Sequence, residues 1–191
     1  MVPPFPSRRT ALTVPEYLEG ERASEIRHEY IDGEVYAMVG ASDRHGLIAN
    51  ALAFALTPAA RRGHCQLFTS DMKVRLEIAD QTLFYYPDLL LTCDPDDRER
   101  YYRTRPCLIV EVLSETTERI DRREKLLAYQ TLPSLQEYLL VAQDERHVTV
   151  YRRRGGWRAE YFTDGTIPLD CVDEPLAVDA VYADVDSAGA G

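Results

Sequence analysis

Lysine is scarce in this sequence. Of its 22 basic residues only Lys73 and Lys125 are lysine, and the others are arginine. A basic residue needed only for its charge is therefore expected to be arginine. Lysine differs because it carries a compact point charge whose pKa shifts readily. Lys125 follows two carboxylates embedded in apolar strands, which makes it a candidate for a role that arginine does not fill.

The sequence also lacks any long apolar run. No stretch approaches the roughly 20 apolar residues that span a bilayer, and the first ten residues, MVPPFPSRRT, lack the apolar core of a secretion signal. We therefore expect a cytoplasmic protein that does not contact membranes.

Positive charge is in deficit, with a formal net charge of −10. This balance excludes a general nucleic-acid coat, because such a protein needs a basic surface to displace counterions from phosphates. It does not exclude a nuclease, since a bound divalent cation offsets the charge of clustered carboxylates.

Several chemical signatures are absent. The four cysteines, Cys65, Cys93, Cys107 and Cys171, show no CxxC spacing. Three of them fall in apolar, strand-like runs, so we expect buried reduced thiols rather than a zinc site. The sequence has no glycine-rich phosphate loop, no GxSxG and no HExxH.

The length of 191 residues and the hydrophobic fraction of 45% predict one domain with a substantial core. We expect a loose arm over residues 1–12, the domain over 13–182 and a disordered tail over 183–191. Within the domain, capping and turn signals predict a helix from Thr13, a hairpin at Asp32-Gly33 and a helix from Ser42 to about Arg62. Further strands are expected at 66–78, 82–92, 107–113, 137–142, 147–152 and 157–162, with a helix that begins at Asp121, continues through KLLAYQ and stops before Pro133.

Two carboxylates interrupt apolar strands. Asp88 follows Pro87 in LFYYPDLLLT, where proline favours a bulge or bend. Glu111 lies in CLIVEVLS, whose two faces are otherwise apolar. Asp88 could instead bond backbone N–H groups at a strand end, and Glu111 could form a buried ion pair with an arginine. Because buried carboxylates are costly unless paired or bound to a metal, we predict that both point toward one site.

Two inward carboxylates suit a hard divalent cation. Mg²⁺ binds one or two carboxylates and completes its shell with waters and substrate phosphate oxygens. Lys125 lies early in the following helix, from which it could reach the same strand ends. The alternative is a solvated helix lysine.

The order of these motifs resembles the PD-(D/E)xK nuclease superfamily. The matching segments are P-D in an apolar strand, E-V-L-S, and D-x-x-x-K at residues 121–125. Together with H-E-Y-I-D-G-E-V-Y and L-x-E-Y-L-L-V they resemble, more specifically, the putative restriction endonuclease domain family of bacteria, over about residues 13–165. The resemblance implies a restriction-endonuclease-like α/β (α+β mixed) core, in which a central mixed β-sheet is flanked by helices.

The resemblance also implies site residues and a cofactor. The superfamily places lysine two residues after the acid, where this sequence has Leu113; the resemblance implies that Lys125 takes over that role. It makes Glu29 an additional catalytic acid, and it implies Mg²⁺ dependence and a homodimer.

These inferences predict a Mg²⁺-dependent endonuclease acting on DNA, with Mn²⁺ as a substitute ion. Asp88, Glu111 and the main-chain carbonyl of Val112 would hold the metal, while Lys125 would position or deprotonate water. The alternative is a catalytically silent scaffold that serves binding or dimerisation. The sequence does not distinguish DNA from RNA.

Three further polar residues have open roles. Glu34, across the hairpin turn, competes with Glu29. His45 is either a packing histidine or a contact to water or phosphate. Asp71 is a candidate to support the site residues.

Overall fold

The computed structural model describes residues 11–38, 40–114 and 121–188. The helices are α1 (Val14–Ala23), α2 (Asp43–Arg62), α3 (Leu126–Tyr129) and α4 (Val178–Ala188), with a π-helical turn at Asp121–Lys125 and a 3-10 turn at Arg153–Gly155. The strands are β1 (His28–Ile31), β2 (Glu34–Ala37), β3 (Gln66–Thr69), β4 (Lys73–Ile78), β5 (Gln81–Tyr85), β6 (Leu89–Thr92), β7 (Tyr102–Arg103), β8 (Leu108–Val112), β9 (Glu137–Val141), β10 (Val148–Arg152), β11 (Ala159–Phe162), β12 (Thr166–Ile167) and β13 (Leu176–Ala177).

The strands form two main sheets. One has six strands in the order β11-β10-β9-β8-β6-β3, and the other has five in the order β2-β1-β5-β4-β7. Each is mixed, because β8 pairs with β9 in parallel and β4 pairs with β7 in parallel, while the other pairs are antiparallel. The predicted class, a mixed α/β fold with helices flanking the sheets, is confirmed, although two sheets replace the single central one.

Three apolar clusters hold these layers together. The largest joins the six-stranded sheet to α2 and α4, through residues such as Leu52, Val110 and Val181. A second fills the space between the two sheets and includes Tyr129 of α3. The third packs Tyr17 of α1 against the outer face of the five-stranded sheet. The layers therefore run α1, five-stranded sheet, six-stranded sheet, then α2 with α4.

Two of the predicted strands cross from one sheet to the other. We predicted continuous strands over 66–78 and 82–92, but the structure breaks the first at 70–72 and the second at 86–88. On one side of each break the strand belongs to the six-stranded sheet, and on the other side to the five-stranded sheet. Pro87 lies in the second break and has no N–H to offer a ladder, so the bend expected there takes the form of a change of sheet.

The predicted local signals at the N-terminal half are confirmed. Thr13 and Glu16 form a reciprocal capping box at α1, and the Ser42 side chain caps α2 by accepting the His45 N–H. Asp32 and Gly33 make the hairpin turn with φ of 46° and 99°. A Cβ at position 33 would also meet the Ala11 Cβ at 2.6 Å, so glycine is needed there for two reasons.

The helix predicted from Asp121 begins with a wider turn than expected. Residues 121–125 form a π turn, and α3 ends at Tyr129, one residue before the end of the predicted KLLAYQ segment. Residues 115–120 lie outside the described residues. The wide turn matters because Lys125 is its last residue.

The predicted termini also need correction. Residues 183–188 continue α4 instead of starting a disordered tail, because Val178, Val181, Tyr182 and Val185 share one helix face that packs on the core next to α2. Leu12, assigned to the loose arm, is buried and its N–H donates to the Gly33 carbonyl. The remainder of both predicted termini, 1–10 and 189–191, lies outside the described residues.

The prediction of four reduced thiols is wrong. The structure joins Cys65 to Cys93 and Cys107 to Cys171 as disulfides. The β3–β6 register pairs Gln66 with Thr92, which places Cys65 and Cys93 opposite each other at the end of that ladder. Sequence spacing could not reveal this, because the two cysteines meet through strand pairing.

None of the helices in the described ranges is both long and apolar enough to cross a bilayer.

Candidate active site

A cleft of about 860 Å³ opens where the two sheet crossovers meet the start of α2. Its walls include Asp88 from the second crossover, Glu111 and Val112 from the end of β8, Lys125 from the π turn and His45 from α2. The fold thus brings four of the five predicted site residues into the lining of one cleft, and the fifth, Glu29, contacts Lys125.

Asp88 is fixed by two contacts to one carboxylate oxygen. Its Oδ2 accepts the N–H of Val112 at 2.7 Å and lies 3.2 Å from His45 Nε2. The other oxygen, Oδ1, meets no donor among residues 11–38, 40–114 and 121–188. The alternative in which Asp88 bonds backbone N–H groups at a strand end is therefore correct for one oxygen. Within the described part of the chain, the other oxygen is available to bind a ligand.

Glu111 and Glu29 both contact the Lys125 ammonium. Nζ lies 3.2 Å from Glu111 Oε1 and 2.9 Å from Glu29 Oε1. Tyr129 donates its hydroxyl to the same Glu111 oxygen at 3.1 Å. Glu111 therefore forms a buried ion pair, but with lysine and not with the arginine considered from the sequence.

Lys125 is not a solvated helix lysine. Its side chain is 6% exposed, and Nζ lies 5.5 Å from the centre of the Tyr85 ring. Burial, with a further contribution from the negative charge of Glu29, raises the pKa of Tyr85 to about 12. A neutral phenol thus lines one side of the ammonium while two carboxylates contact it from other directions.

The backbone of Val112 faces Asp88. In an antiparallel ladder the N–H and C=O of one residue point to the same neighbouring strand. Because the Val112 N–H reaches Asp88, its carbonyl is also directed toward that side of β8. This geometry is compatible with the predicted main-chain ligand.

The carboxylates fit the needs of Mg²⁺. In the described part of the chain, the one group of three metal-ligating side chains whose ligand atoms lie within 4.8 Å is Cys93, Cys107 and Cys171. A cation in the cleft would therefore rely on Asp88, Glu111 and waters, which is the pattern that Mg²⁺ favours over an all-protein cage. The Asp88 side chain is 15% exposed, so water can reach it.

A family model described as "Uma2: Putative restriction endonuclease" matches residues 14–175. The chain belongs to the Uma2 family. The match includes every predicted site residue, from Glu29 to Lys125.

Two proteins of Synechocystis sp. are similar to this Uma2 chain. The "Uncharacterized protein slr1290" is 36% identical over 183 residues, covering 94% of this chain and 93% of the relative. The "Uncharacterized protein sll1609" is 35% identical over 147 residues, covering 75% of this chain and 82% of the relative. The likeness therefore extends over nearly the full domain.

The fold is also similar to a crystal structure of "a putative nuclease belonging to DUF820" from Anabaena variabilis. The two share 17% sequence identity with a TM-score of 0.66, over 84% of this chain and 92% of the other. At this identity the likeness shows the fold alone.

The structure distinguishes the three further polar residues, His45, Glu34 and Asp71, by their positions relative to the cleft. His45 lies in the cleft and contacts Asp88. Glu34 is exposed and accepts the Tyr36 hydroxyl at 2.6 Å, and it is not among the cleft residues. Asp71 lines the cleft at its exposed rim, where Arg27 Nε donates to it at 3.0 Å. Among the competing carboxylates, the geometry favours Glu29 over Glu34.

The sequence did not indicate a buried series of hydrogen-bonded side chains behind the cleft. Lys73 Nζ donates to the Tyr86 hydroxyl at 3.0 Å, and Tyr86 donates to Glu21 Oε2 at 2.5 Å. Glu21 Oε1 in turn lies 2.8 Å from His28 Nδ1. Tyr86 lines the cleft two residues before Asp88, so this series braces the crossover that carries Asp88.

Lys73 corrects our interpretation of the scarce lysines. Lys73 and Arg75 alternate with Val74 and Leu76 in β4, a pattern typical of a strand with one polar face, yet Lys73 is 6% exposed. Burial lowers the pKa of Lys73, although the negative charge of Glu21 opposes that change. The scarcity that pointed to Lys125 applied equally to Lys73, and both lysines are buried near the cleft.

Proposed function

We propose that this protein is a Mg²⁺-dependent endonuclease that hydrolyses phosphodiester bonds in DNA. One observation carries the proposal: a buried lysine, Lys125, lies between Glu29 and Glu111 in the cleft that also contains Asp88. A structural ion pair does not require a cleft of this size beside it, whereas a hydrolytic site does.

Asp88 and Glu111 are the residues that would hold the cation, with the Val112 carbonyl as a third donor. A Mg²⁺ ion held by these residues would supply Lewis acidity to the phosphoryl group and would favour the ionisation of water. The Val112 N–H and His45 orient Asp88 through one oxygen, so the other can serve a ligand without first breaking those contacts.

Lys125 contributes positive charge at a fixed position. Hydrolysis of a phosphodiester builds negative charge on the phosphoryl oxygens. A preorganised ammonium in a partly desolvated site stabilises that charge. Ion pairs of 2.9 and 3.2 Å with Glu29 and Glu111 fix the position of the ammonium, which the flexible lysine side chain alone would not do. The same ammonium can orient the attacking water.

The test is cleavage of supercoiled plasmid, linear duplex and single-stranded DNA with Mg²⁺ or Mn²⁺. We expect the wild type to cut at least one of these and Asp88→Asn to cut none. Asp164→Asn is the matched control, because it removes the same charge from an exposed turn. Equal cleavage by wild type and Asp88→Asn would reject the proposed site.

A silent scaffold remains the second candidate, and the net charge of −10 favours it because DNA is repelled by an acidic surface. Isothermal titration calorimetry with Mg²⁺ or Mn²⁺ separates the two. The endonuclease requires binding that is lost in Asp88→Asn, whereas a scaffold has no reason to bind the ion through that residue.

A further inference from the structure

All four cysteines of the chain meet at one place. They come from separate segments: Cys65 precedes β3, Cys93 follows β6, Cys107 precedes β8, and Cys171 follows β12. Strand pairing brings the first three to the same end of the six-stranded sheet, and the loop after β12 supplies the fourth. We call these residues the sulfur cluster.

The two disulfides of the cluster are in contact. Cys93 Sγ lies 3.4 Å from Cys107 Sγ, although each is bonded to a different partner. The sulfurs of Cys93, Cys107 and Cys171 all lie within 4.8 Å of one another, and Cys65 is bonded to Cys93. Two disulfides that only cross-link a fold need not touch.

The distances between the sulfur atoms of the cluster are similar to those in a metal site. A tetrahedral Zn²⁺ with Zn–S bonds of about 2.3 Å places its sulfur ligands about 3.8 Å apart. Among the sulfurs that are not bonded to each other, Cys93 and Cys107 are 3.4 Å apart and Cys93 and Cys171 lie within 4.8 Å, which brackets that value, while Cys65 joins the group through its bond to Cys93. Closed tetrahedral sites of four thiolates are also the form that structural zinc prefers.

We propose that the sulfur cluster, when reduced, binds one Zn²⁺ ion through four cysteine thiolates. The cluster then has two chemical states: two disulfides without a metal, as in this structure, and a zinc tetrathiolate. Soft thiolates select Zn²⁺ over Mg²⁺, which prefers oxygen, so the cluster and the cleft would take different ions.

The conversion between the states balances. Each disulfide accepts two electrons and two protons from a dithiol, which itself becomes a disulfide, and this yields two cysteine thiols. Binding of Zn²⁺ to the four thiols then releases four protons as four Zn–S bonds form. The return to the disulfide state releases the ion and needs an oxidant for the thiols, such as another disulfide.

The cluster lies at the opposite ends of the strands that carry the cleft carboxylates. Asp88 precedes β6 and Cys93 follows it, while Cys107 precedes β8 and Glu111 lies near its end. Asp88 and Cys93 are five positions apart along extended chain, a distance of about 17 Å. The proposed zinc site is therefore separate from the cleft but is built on the same two strands.

The experiment uses the full chain, stripped of metal, and Co²⁺ as a spectroscopic probe. One sample is reduced under nitrogen with a water-soluble phosphine, and one is left oxidised. We expect the reduced protein to bind one Co²⁺ per chain more than the oxidised protein, with thiolate-to-cobalt charge-transfer absorption and the intense visible bands of a tetrahedral ion. One equivalent of Zn²⁺ should remove these bands, and the oxidised protein should show none.

Two variants assign the site. Asp88→Asn, changed only in the cleft, should keep the full Co²⁺ spectrum. The double variant Cys107→Ser, Cys171→Ser should lose the charge-transfer absorption. If that variant does not fold, thiol alkylation of the reduced wild type gives the same answer, because Zn²⁺ should slow it at least tenfold.

Three results would overturn the proposal. They are a reduced wild type with no charge-transfer absorption, a spectrum that survives the double cysteine substitution, and alkylation unaffected by Zn²⁺. In each case the cluster would consist of two structural disulfides only.

Discussion

Lys125 is the residue on which the proposed mechanism depends most. Replacing it by arginine preserves the charge but not the shape, since a planar guanidinium cannot occupy the space between Glu29 and Glu111 in the same way. We expect Lys125→Arg to reduce DNA cleavage at least about tenfold, which corresponds to about 1.4 kcal/mol in the barrier. The rate should be measured at a temperature where circular dichroism shows the variant fully folded, because overpacking a buried site can cost about 1–3 kcal/mol of stability.

The control for that variant follows from burial. Lys73→Arg is unsuitable, because Lys73 is itself buried against Tyr86. Arg123→Lys exchanges the same two residue types at an exposed position of the same π turn, and it should leave the rate unchanged. If Lys125→Arg cleaved as fast as wild type, Lys125 would have no part in the reaction.

Single residues could be predicted where they broke a pattern. Asp88 and Glu111 interrupted apolar strands, and Lys125 was one of two lysines, so each departed from what its surroundings favour. Tyr129 could not be found this way, because an aromatic residue in a helix is typical of a core. The burial of Lys73 could not be found either, since a charged residue that alternates with apolar ones in a strand normally faces water.

The helices and strands position the site residues, and the start of α2 shows this most clearly. Ser42 caps the helix by accepting the His45 N–H at 3.1 Å, and its hydroxyl donates to Gln143 Oε1 at 2.7 Å. His45 in turn contacts Asp88. The first turn of α2 therefore joins the cleft carboxylate to the far wall of the cleft.

Ser42→Ala should act on both stability and function. Loss of an N-cap typically lowers the free energy of unfolding by about 1 kcal/mol, and here the freed first turn also loosens His45. We expect a urea midpoint shifted to lower concentration and a reduced rate of DNA cleavage. Thr13→Ala removes the equivalent cap of α1, away from the cleft, and should lower stability by a similar amount with the rate unchanged. Equal effects of the two variants on the rate would mean that the α2 cap has no specific role.

The elements themselves were predictable from local signals, but their breaks were not. The capping residues Thr13 and Ser42 and the Asp32-Gly33 turn act within four residues, so the sequence contains all of the information. The crossovers at 70–72 and 86–88 depend on which sheet each half-strand joins. Both halves are apolar enough for either sheet, and Pro87 predicted only that a bend occurs.

At the scale of the whole molecule, the arrangement of sheets escaped prediction. The alternation of apolar residues shows that a strand has a buried face, but not how many sheets the strands form. The sulfur cluster arises at this scale too, because the β3–β6 and β6–β8 pairings bring Cys65, Cys93 and Cys107 together, and the bonded pair Cys107–Cys171 spans 64 positions. Long-range pairing of this kind leaves no trace in local spacing.

A homodimer remains our prediction for the assembled state. Cutting both strands of a duplex suits two cleft sites related by a two-fold axis, and closed two-fold dimers are the commonest oligomers. Light scattering coupled to size exclusion should give about twice the chain mass at micromolar concentration. A mass equal to one chain under those conditions would contradict the prediction and would favour nicking of single strands.

The overall charge leads to the last prediction. With a net charge of −10, the protein should bind DNA weakly unless cations neutralise the cleft. Ca²⁺ takes the same carboxylate oxygens as Mg²⁺, so binding of labelled duplex can be compared in Ca²⁺ and in chelator at equal ionic strength. We expect at least about a tenfold higher affinity with Ca²⁺, equivalent to about 1.4 kcal/mol.

Asp88→Asn should remove most of this gain because it removes a ligand from the cleft. Asp164→Asn, with the same change in net charge on an exposed turn, should retain it. If both variants lost the gain equally, the cation would act by general screening and not through the cleft.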